Sequence, residues 1–255
     1  MTLATKPSTE PKMQPAAGTQ STTTPTVAPV THPTIPGVDP ASDLPADQIA
    51  NPAFGALAAD TTLERTVAAL KAKGYTVKIA DNGEMARDLI IGLIPQGAEV
   101  SQGASETLEQ IGLTREIETP GRFDAIRPRT RAMDRSTPEG IRAMRKLGVG
   151  PDYYVVSAHA VTEDGTIVVA SNTGSQLAPI SFGAGEVIFA IGTQKIVPDL
   201  DSAMRRIEQY SLPLEHQRMQ LLHGVNSQLN KILIINKEFR PGRFTIVLIK
   251  EQVGA

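Results

Sequence analysis

Beyond residue 60 the spacing of apolar residues switches repeatedly between the helix period and the strand period. This alternation limits the possible folds more than any other feature, because it is typical of parallel sheets covered by helices. Strands are predicted at residues 75–80, 98–101, 186–191, 231–236 and 244–249. Four helix N-termini are predicted from capping residues: Thr61 with Glu64, Asp81 with Glu84, Thr137 before Pro138, and Asp199.

The middle of the chain departs from simple alternation. Two strands, residues 153–162 and 166–171, flank Glu163-Asp164-Gly165. Asp-Gly favours the positive φ angles of a type I′ turn, so we predict an antiparallel hairpin closed by that turn. The predicted fold class is therefore α/β, with a three-layer, mostly parallel sheet and an antiparallel hairpin.

The N-terminal part has a different composition. Residues 1–45 hold nine of the nineteen prolines and ten threonines, with few large apolar side chains. Such a segment cannot bury enough apolar surface to offset its ordering entropy. We expect a disordered tail at 1–45, a linker at 46–59 and one α/β domain at 60–255. No apolar secretory segment follows Met1, which favours a cytoplasmic protein.

Composition excludes several function classes. The chain has no cysteine, which excludes disulfides, thiolate zinc sites and thiolate-held iron–sulfur clusters. Its net charge is −2, and it has no tryptophan, which disfavours nucleic-acid binding. No metal-binding histidine pattern, P-loop or Gly-x-Ser-x-Gly elbow is present. We therefore expect no metal, no cofactor of its own, no nucleic-acid partner and no membrane span.

Three loops that follow predicted strands are candidates for binding an anionic ligand. Small residues lead into a helix at 101–107, small polar residues surround a glycine at 171–176, and a lysine follows the strand at 186–191. Backbone N–H groups and a cation in such loops suit a carboxylate or phosphate. The candidate ligand-binding residues are Gly103, Ser105, Thr173, Gly174, Ser175, Gln176 and Lys195. The alternatives are a simple helix cap at Ser105, an ordinary turn, and a solvated surface lysine.

Catalytic candidates are fewer. His159 lies in a predicted strand and is a candidate general base, although a satisfied strand histidine is the alternative. Glu163 at the hairpin tip is a candidate acyl nucleophile, with a solvated turn glutamate as the alternative. Residues 121–135 contain five arginines suited to carboxylate or phosphate; we interpret at least three as surface or partner contacts.

Several stretches of the second half resemble the lactate-utilisation (LUD) domain family. They keep the family's order and spacing over about residues 60–255. The matching stretches are residues 160–166, 173–174, 192–200 and 241–248, together with Ser105 and residues 107–113. Two departures stand out. Many members have Gly-Asn-Arg where Gly174-Ser175-Gln176 stand, and residues 221–230 lack the cysteine cluster that some members carry.

The resemblance implies a fold similar to CoA transferases, ribose-phosphate isomerases and formyltetrahydrofolate cyclo-ligases. It also implies a ligand-binding or accessory role in L-lactate oxidation to pyruvate, alongside iron–sulfur oxidoreductase partners. Two other functions stay open at this point. One is an independent CoA-transferase-like enzyme that uses Glu163, and the other is a structural assembly subunit that uses the arginine segment as its interface.

Overall fold

The strands of the protein form two sheets in the computed structural model, which describes residues 49–255. The predicted tail and residues 46–48 of the predicted linker lie outside these residues, whereas residues 49–59 are described and include a short 3₁₀ turn. In chain order the strands are β1 (Thr76–Ala80), β2 (Glu99–Gln102), β3 (Asp124–Ala125), β4 (Tyr153–Val156), β5 (Ala160–Thr162), β6 (Ile167–Ser171), β7 (Glu186–Gly192), β8 (Ile196–Val197), β9 (Lys231–Ile235) and β10 (Phe244–Ile249). Six form a parallel sheet in the order β1-β10-β7-β4-β2-β3, and four form a mixed sheet in the order β8-β5-β6-β9.

Helices connect most of the strands. In chain order they are α1 (Asp60–Ala72), α2 (Gly83–Leu93), α3 (Glu106–Gln110), α4 (Leu113–Glu118), α5 (Ile126–Arg131), α6 (Pro138–Val149), α7 (Leu200–Arg206) and α8 (Leu212–His223). A π turn at Ile207–Ser211 joins α7 to α8 without a break. A second π turn covers Pro179–Gly183, and 3₁₀ turns cover Pro52–Gly55 and Thr193–Lys195.

The core lies on both faces of the parallel sheet because alternate residues of its strands point to opposite sides. Ile188 and Ala190 of β7 pack against the apolar side chains of α2, α3 and α4. Val187, Phe189 and Ile191 pack instead against α1 and the mixed sheet. The other face of the mixed sheet is covered by α7. The predicted α/β class, with a mostly parallel sheet and an antiparallel hairpin, is confirmed.

The predicted hairpin and the last two strands are divided between the two sheets. Strands β5 and β6 pair with each other and belong to the mixed sheet, not to the parallel one. Strands β9 and β10 do not pair with each other, since β9 pairs with β6 while β10 lies between β1 and β7. All six residues of β10 are buried, whereas β9 is mostly half-buried or exposed at the edge of the mixed sheet.

The predicted type I′ turn is wrong. Among the described residues only glycines have positive φ, so Asp164 does not adopt it, whereas Gly165 has φ 84°. The loop between the hydrogen-bonded residues Thr162 and Thr166 has three residues. Its Gly165 N–H donates to the Thr162 carbonyl at 2.8 Å. A three-residue loop needs only its last residue in the left-handed region, and glycine enters that region without strain.

Two of the four predicted helix caps are confirmed. Thr137 and Asp199 each accept a first-turn N–H with the side-chain oxygen. The other two are wrong: α1 begins before Thr61, and Asn82 rather than Asp81 caps α2. Asn82 is one residue nearer the helix, and its Oδ1 lies 2.9 Å from the N–H three residues on.

An aromatic contact between neighbouring strands β7 and β10 of the parallel sheet predicts one large stability effect. Phe189 is 0% exposed and meets Phe244 edge-on at 5.4 Å between ring centroids. Phe189→Ala leaves a cavity that the sheets cannot close, and we expect it to lower the free energy of unfolding by roughly 3–5 kcal/mol. Urea denaturation followed by circular dichroism measures this change.

The matched control is Phe182→Ala. Phe182 is 90% exposed, so we expect its removal to change the free energy of unfolding by no more than about 0.5 kcal/mol. Equal effects of the two substitutions would contradict the placement of Phe189 in the core.

Candidate ligand-binding site

A cavity of about 830 Å³ lies at the carboxyl ends of β2, β4 and β7, which are neighbours in the parallel sheet. Parallel strands place their carboxyl ends at one edge, where loops with functional residues emerge together. The seven predicted ligand-binding residues all line this cavity: Gly103, Ser105, Thr173, Gly174, Ser175, Gln176 and Lys195. The three sequence-distant loops are therefore brought together.

Lys195 forms part of the cavity wall but is almost inaccessible to solvent. It ends the 3₁₀ turn directly after β7, and only 2% of its surface is exposed. Its Nζ donates to Thr107 Oγ1 at 3.0 Å and to Ser157 Oγ at 3.2 Å. No carboxylate within residues 49–255 lies in ion-pair range of this amine. The predicted alternative, a solvated surface lysine, does not describe it.

A second basic side chain is buried behind the first. Arg206 of α7 is fully buried, and its Nη1 donates to the His159 carbonyl at 2.6 Å and to Ser211 Oγ at 2.9 Å. Its Nη2 has no hydrogen-bond partner in the described part of the chain. Burial lowers the pKa of Arg206 to about 10, against an opposing effect of Tyr210. The guanidinium remains charged at neutral pH, with hydroxyl and carbonyl oxygens as its acceptors.

The protonation of Lys195 follows from these surroundings. Burial lowers its pKa well below the ordinary value, and the positive charge of Arg206 lowers it further, while Glu106 acts in the opposite direction. Taking an ammonium group out of water without a counter-ion favours the neutral amine. The site therefore contains an amine that loses its proton more readily than a surface lysine does.

His159 lines the cavity with a neutral ring. Its Nδ1 accepts the N–H of Ala170 at 3.1 Å, so the ring proton belongs on Nε2. Burial lowers its pKa to about 3, and the charges of Lys195 and Arg206 act in the same direction. A histidine with this pKa is a weak base at neutral pH but a good Nε2–H donor. Its general-base role stays a prediction that this geometry does not favour.

The polar loop after β6 forms hydrogen bonds within itself that use some of its backbone N–H groups. The N–H of Gly174 donates to Ser171 Oγ at 2.9 Å, and the N–H of Ser175 donates to Thr173 Oγ1 at 3.3 Å. These two N–H groups are therefore occupied and do not form the open anion-binding nest that the composition suggested. The loop presents hydroxyl and amide side chains to the cavity instead.

Gly103 lies where backbone and side chains approach closely. A Cβ at this position would stand 3.1 Å from Val156 Cγ2 and 3.3 Å from the Tyr154 hydroxyl. Any larger residue would push these neighbours into the cavity, so glycine keeps the space open. Ser105 occupies the N-cap position of α3 but makes no side-chain cap bond, so the simple capping alternative is not what the structure has.

Arginines from the segment 121–135 form another part of the cavity wall. Those that line it are Arg127, Arg131 and Arg135, and Arg145 of α6 joins them. Arg131 donates to Glu118 at 2.7 Å, and Arg127 lies 3.8 Å from the same carboxylate. Three of the five arginines thus contribute to the cavity, which is more than the sequence interpretation allowed.

Several buried polar atoms on the cavity wall have no hydrogen-bond partner among residues 49–255. They are Gln102 Oε1, Arg127 Nη1 and Arg135 Nε. Buried polar groups are normally paired, so three unpaired atoms in residues of one cavity wall are unusual. The wall has hydrogen-bonding capacity that the protein itself does not use.

Glu163 lies apart from this site. It is at the tip of the hairpin, where Arg65 Nη2 donates to its carboxylate at 2.8 Å, and it does not line the cavity. An acyl nucleophile needs an accessible carboxylate beside its substrate, and this one is held by an arginine on the surface. The geometry therefore gives no support to a role in acyl transfer, which stays an untested prediction.

Sequence reasoning missed three residues of the site: Thr107, Ser157 and Arg206. The first two hold the lysine amine, yet serine and threonine near strand ends are too common to single out. Arg206 did have a signal. It falls on the same helix face as Ala203, Ile207 and Tyr210, and a charged residue on an otherwise apolar face indicates a buried charge.

No group of three or more metal-ligating side chains comes together in residues 49–255. In the same range no helix has both the length and the apolar character needed to span a bilayer.

A cavity at the carboxyl ends of parallel strands is the place where α/β proteins usually bind small molecules. The model of the LUD domain family matches residues 63–249, and the chain belongs to this family. Membership relates the protein to lactate utilisation and confirms the resemblance seen in the sequence.

Two solved structures show the extent of the structural likeness. A DUF162 family protein from Deinococcus radiodurans is 11% identical, with a TM-score of 0.49 over 76% of this chain and 99% of that chain. The eIF2B delta subunit from Chaetomium thermophilum is 14% identical, with a TM-score of 0.30 over 58% of this chain and 57% of that chain. No curated protein matches the sequence significantly.

The low pKa of His159 predicts a pH dependence of stability. Below about pH 6.5 the unfolded state takes up a proton at this histidine, whereas the folded state stays neutral down to about pH 3. The unfolded state then binds more protons than the folded state. The free energy of unfolding therefore decreases by up to about 1.4 kcal/mol for each unit by which the pH is lowered in this window. We expect His159→Asn to make urea unfolding less sensitive to pH between about 6.5 and 4.

The control is the same substitution at His223, which is exposed on α8. We expect His223→Asn to keep the pH dependence of the parent protein. If the parent and His159→Asn lose stability equally on acidification, the ring is not held neutral in the folded state.

Proposed function

We propose that this protein is a ligand-binding component of L-lactate oxidation to pyruvate, and that its cavity binds a small carboxylate or a phosphate-bearing ligand. The observation that carries this proposal is the buried amine of Lys195 in the cavity wall, with the fully buried guanidinium of Arg206 behind it. Neither has a carboxylate partner within residues 49–255. A buried basic group without a counter-charge is costly, and an anionic ligand in the cavity would offset that cost at Lys195.

The charge of the cavity wall supports the same ligand class. Four arginines line it; Arg131 and Arg127 are paired with Glu118, whereas Arg135 and Arg145 have no ion-pair partner within residues 49–255. The acidic lining residues are Glu106 and Glu215, and Glu215 is already bound by Arg218 at 2.7 Å. The net charge of the whole chain is −2, so this positive region is local. A concave positive surface attracts anions and concentrates them at the site.

The electrons released by lactate oxidation pass to a partner protein in this proposal. Oxidation of lactate releases electrons, and a chain without cysteine cannot hold a thiolate-bound iron–sulfur cluster to accept them. We therefore propose iron–sulfur oxidoreductase proteins as the partners of this chain, and a cytoplasmic location for the assembly. In this scheme the cavity binds the carboxylate or a phosphate-bearing cofactor while a partner accepts the electrons.

Ligand binding tests the first half of the proposal. Calorimetric titration with L-lactate, pyruvate and inorganic phosphate should show binding of at least one of them. We expect Lys195→Met to weaken that binding by about tenfold or more, because a hydrogen bond to a charged ligand contributes about 1.5–3 kcal/mol.

The matched control is Lys231→Met. The Nζ of Lys231 donates to the Asn172 carbonyl at 3.4 Å, and the residue does not line the cavity. Its substitution should leave the affinity unchanged. Absence of binding by all three ligands, or equal loss in both variants, would refute the assignment of the site.

Growth tests the physiological half. Deletion of the gene should abolish growth on L-lactate but preserve growth on pyruvate, which lies beyond the oxidation step. The parental gene and the Lys231→Met gene should restore growth, and the Lys195→Met gene should not. Normal growth of the deletion strain on lactate would overturn the role in lactate utilisation.

A further inference from the structure

We propose that Lys195 is a carbonyl-reactive amine that forms a Schiff base with a 2-oxo acid bound in the cavity. This inference rests on the proposed function, because the 2-oxo acid must enter the same site as the anionic ligand. It adds covalent chemistry to a cavity that the family assignment relates only to lactate utilisation.

The position of the amine supports this role. Other lysines of the domain pair with surface carboxylates: Lys250 Nζ lies 3.3 Å from Asp60, and Lys73 Nζ lies 3.9 Å from Asp164. Lys195 instead lies in the cavity wall with only neutral hydroxyls as hydrogen-bond partners. The amine is thus held in one place without an ion pair that would keep it protonated.

The groups around the amine favour its neutral, nucleophilic form. Arg206 approaches from α7 and adds a positive charge, Glu106 approaches from α3 and opposes it, and His159 is neutral. The net effect, with burial as the largest cause, lowers the pKa of the amine well below its ordinary value. Desolvation and a neighbouring cation are the two means by which proteins activate lysine as a nucleophile.

The reaction needs no oxidant or further reactant. The Nζ lone pair attacks the keto carbon, and the electrons of the carbonyl double bond move to its oxygen. That oxygen takes up one of the Nζ protons, which the Ser157 hydroxyl at 3.2 Å can relay, to give a carbinolamine. Loss of water, which carries away the hydroxyl group and the remaining Nζ proton, leaves the imine. One amine and one 2-oxo acid thus give one imine and one water.

The cavity wall selects the substrate class. A 2-oxo acid combines a carboxylate, which suits the guanidinium groups of the lining Arg135 and Arg145, with a carbonyl carbon directly beside it. A simple aldehyde lacks the charge that the wall attracts, and a 2-hydroxy acid such as lactate lacks the carbonyl. Lactate is therefore a matched ligand that can bind but cannot react.

Reductive trapping tests the inference on the full chain. The protein is incubated with pyruvate and cyanoborohydride, which reduces an imine to a stable secondary amine, and the adduct is located by peptide mass mapping. We expect one dominant adduct on the peptide that contains Lys195. No adduct should form with L-lactate. Exposed Lys231 in the same digest is the internal reference for non-specific modification.

A variant separates covalent chemistry from charge. Lys195→Arg keeps a basic hydrogen-bond donor at the site but has no primary amine that can form an imine, so we expect it to give no adduct there. The peptide map of the parent protein tests the inference even if this variant does not fold. Calorimetry with pyruvate is run in parallel on the parent protein.

The outcomes distinguish this inference from the proposed function. Pyruvate binding with a dominant Lys195 adduct supports both. Pyruvate binding without that adduct, or with modification spread over the exposed lysines, overturns the Schiff base and leaves the binding site intact. If pyruvate neither binds nor forms an adduct, the Schiff base is overturned. The lactate and phosphate titrations then decide the proposed function.

Discussion

The parallel register of β2, β4 and β7 is the constraint on which the site depends. Gln102 is paired with Val155, and Val156 is paired with Phe189, so the three strands end at one edge of the sheet. Backbone hydrogen bonds set this register, and the alternate burial of side chains on two faces prevents it from slipping by one residue. The first residues after each strand therefore meet at one place, although they are far apart in the chain.

The second constraint is energetic. Two basic side chains are buried behind the meeting point of these loops, and their partners in residues 49–255 are hydroxyls and carbonyls rather than carboxylates. Such an arrangement lowers stability unless something else requires it, because each buried charge loses its hydration. Perturbed protonation combined with a cavity is the usual sign of a functional site. The fold, stabilised by its two apolar layers, tolerates this local cost.

Much of this could be predicted from residue patterns, and the failures have physical causes. Strand ends and small-residue loops are local signals, so Gly103, Gly174 and Lys195 were predicted to converge and do line one cavity. Pairing partners are not local: β9 and β10 were separated because each buries its side chains in a different sheet. Arg206 was missed although it shares an apolar helix face with Ala203 and Ile207, and the depth of its burial depends on tertiary packing around α7.

The π turn at Ile207–Ser211 has a consequence for how this chain tolerates insertions and deletions. A π turn is equivalent to one residue inserted into an α-helix, and each residue advances a helix by about 100°. Loss of a single residue here would rotate all of α8 relative to α7 and would carry Ser211 away from Arg206. The length of this stretch is therefore constrained as well as its buried side chains.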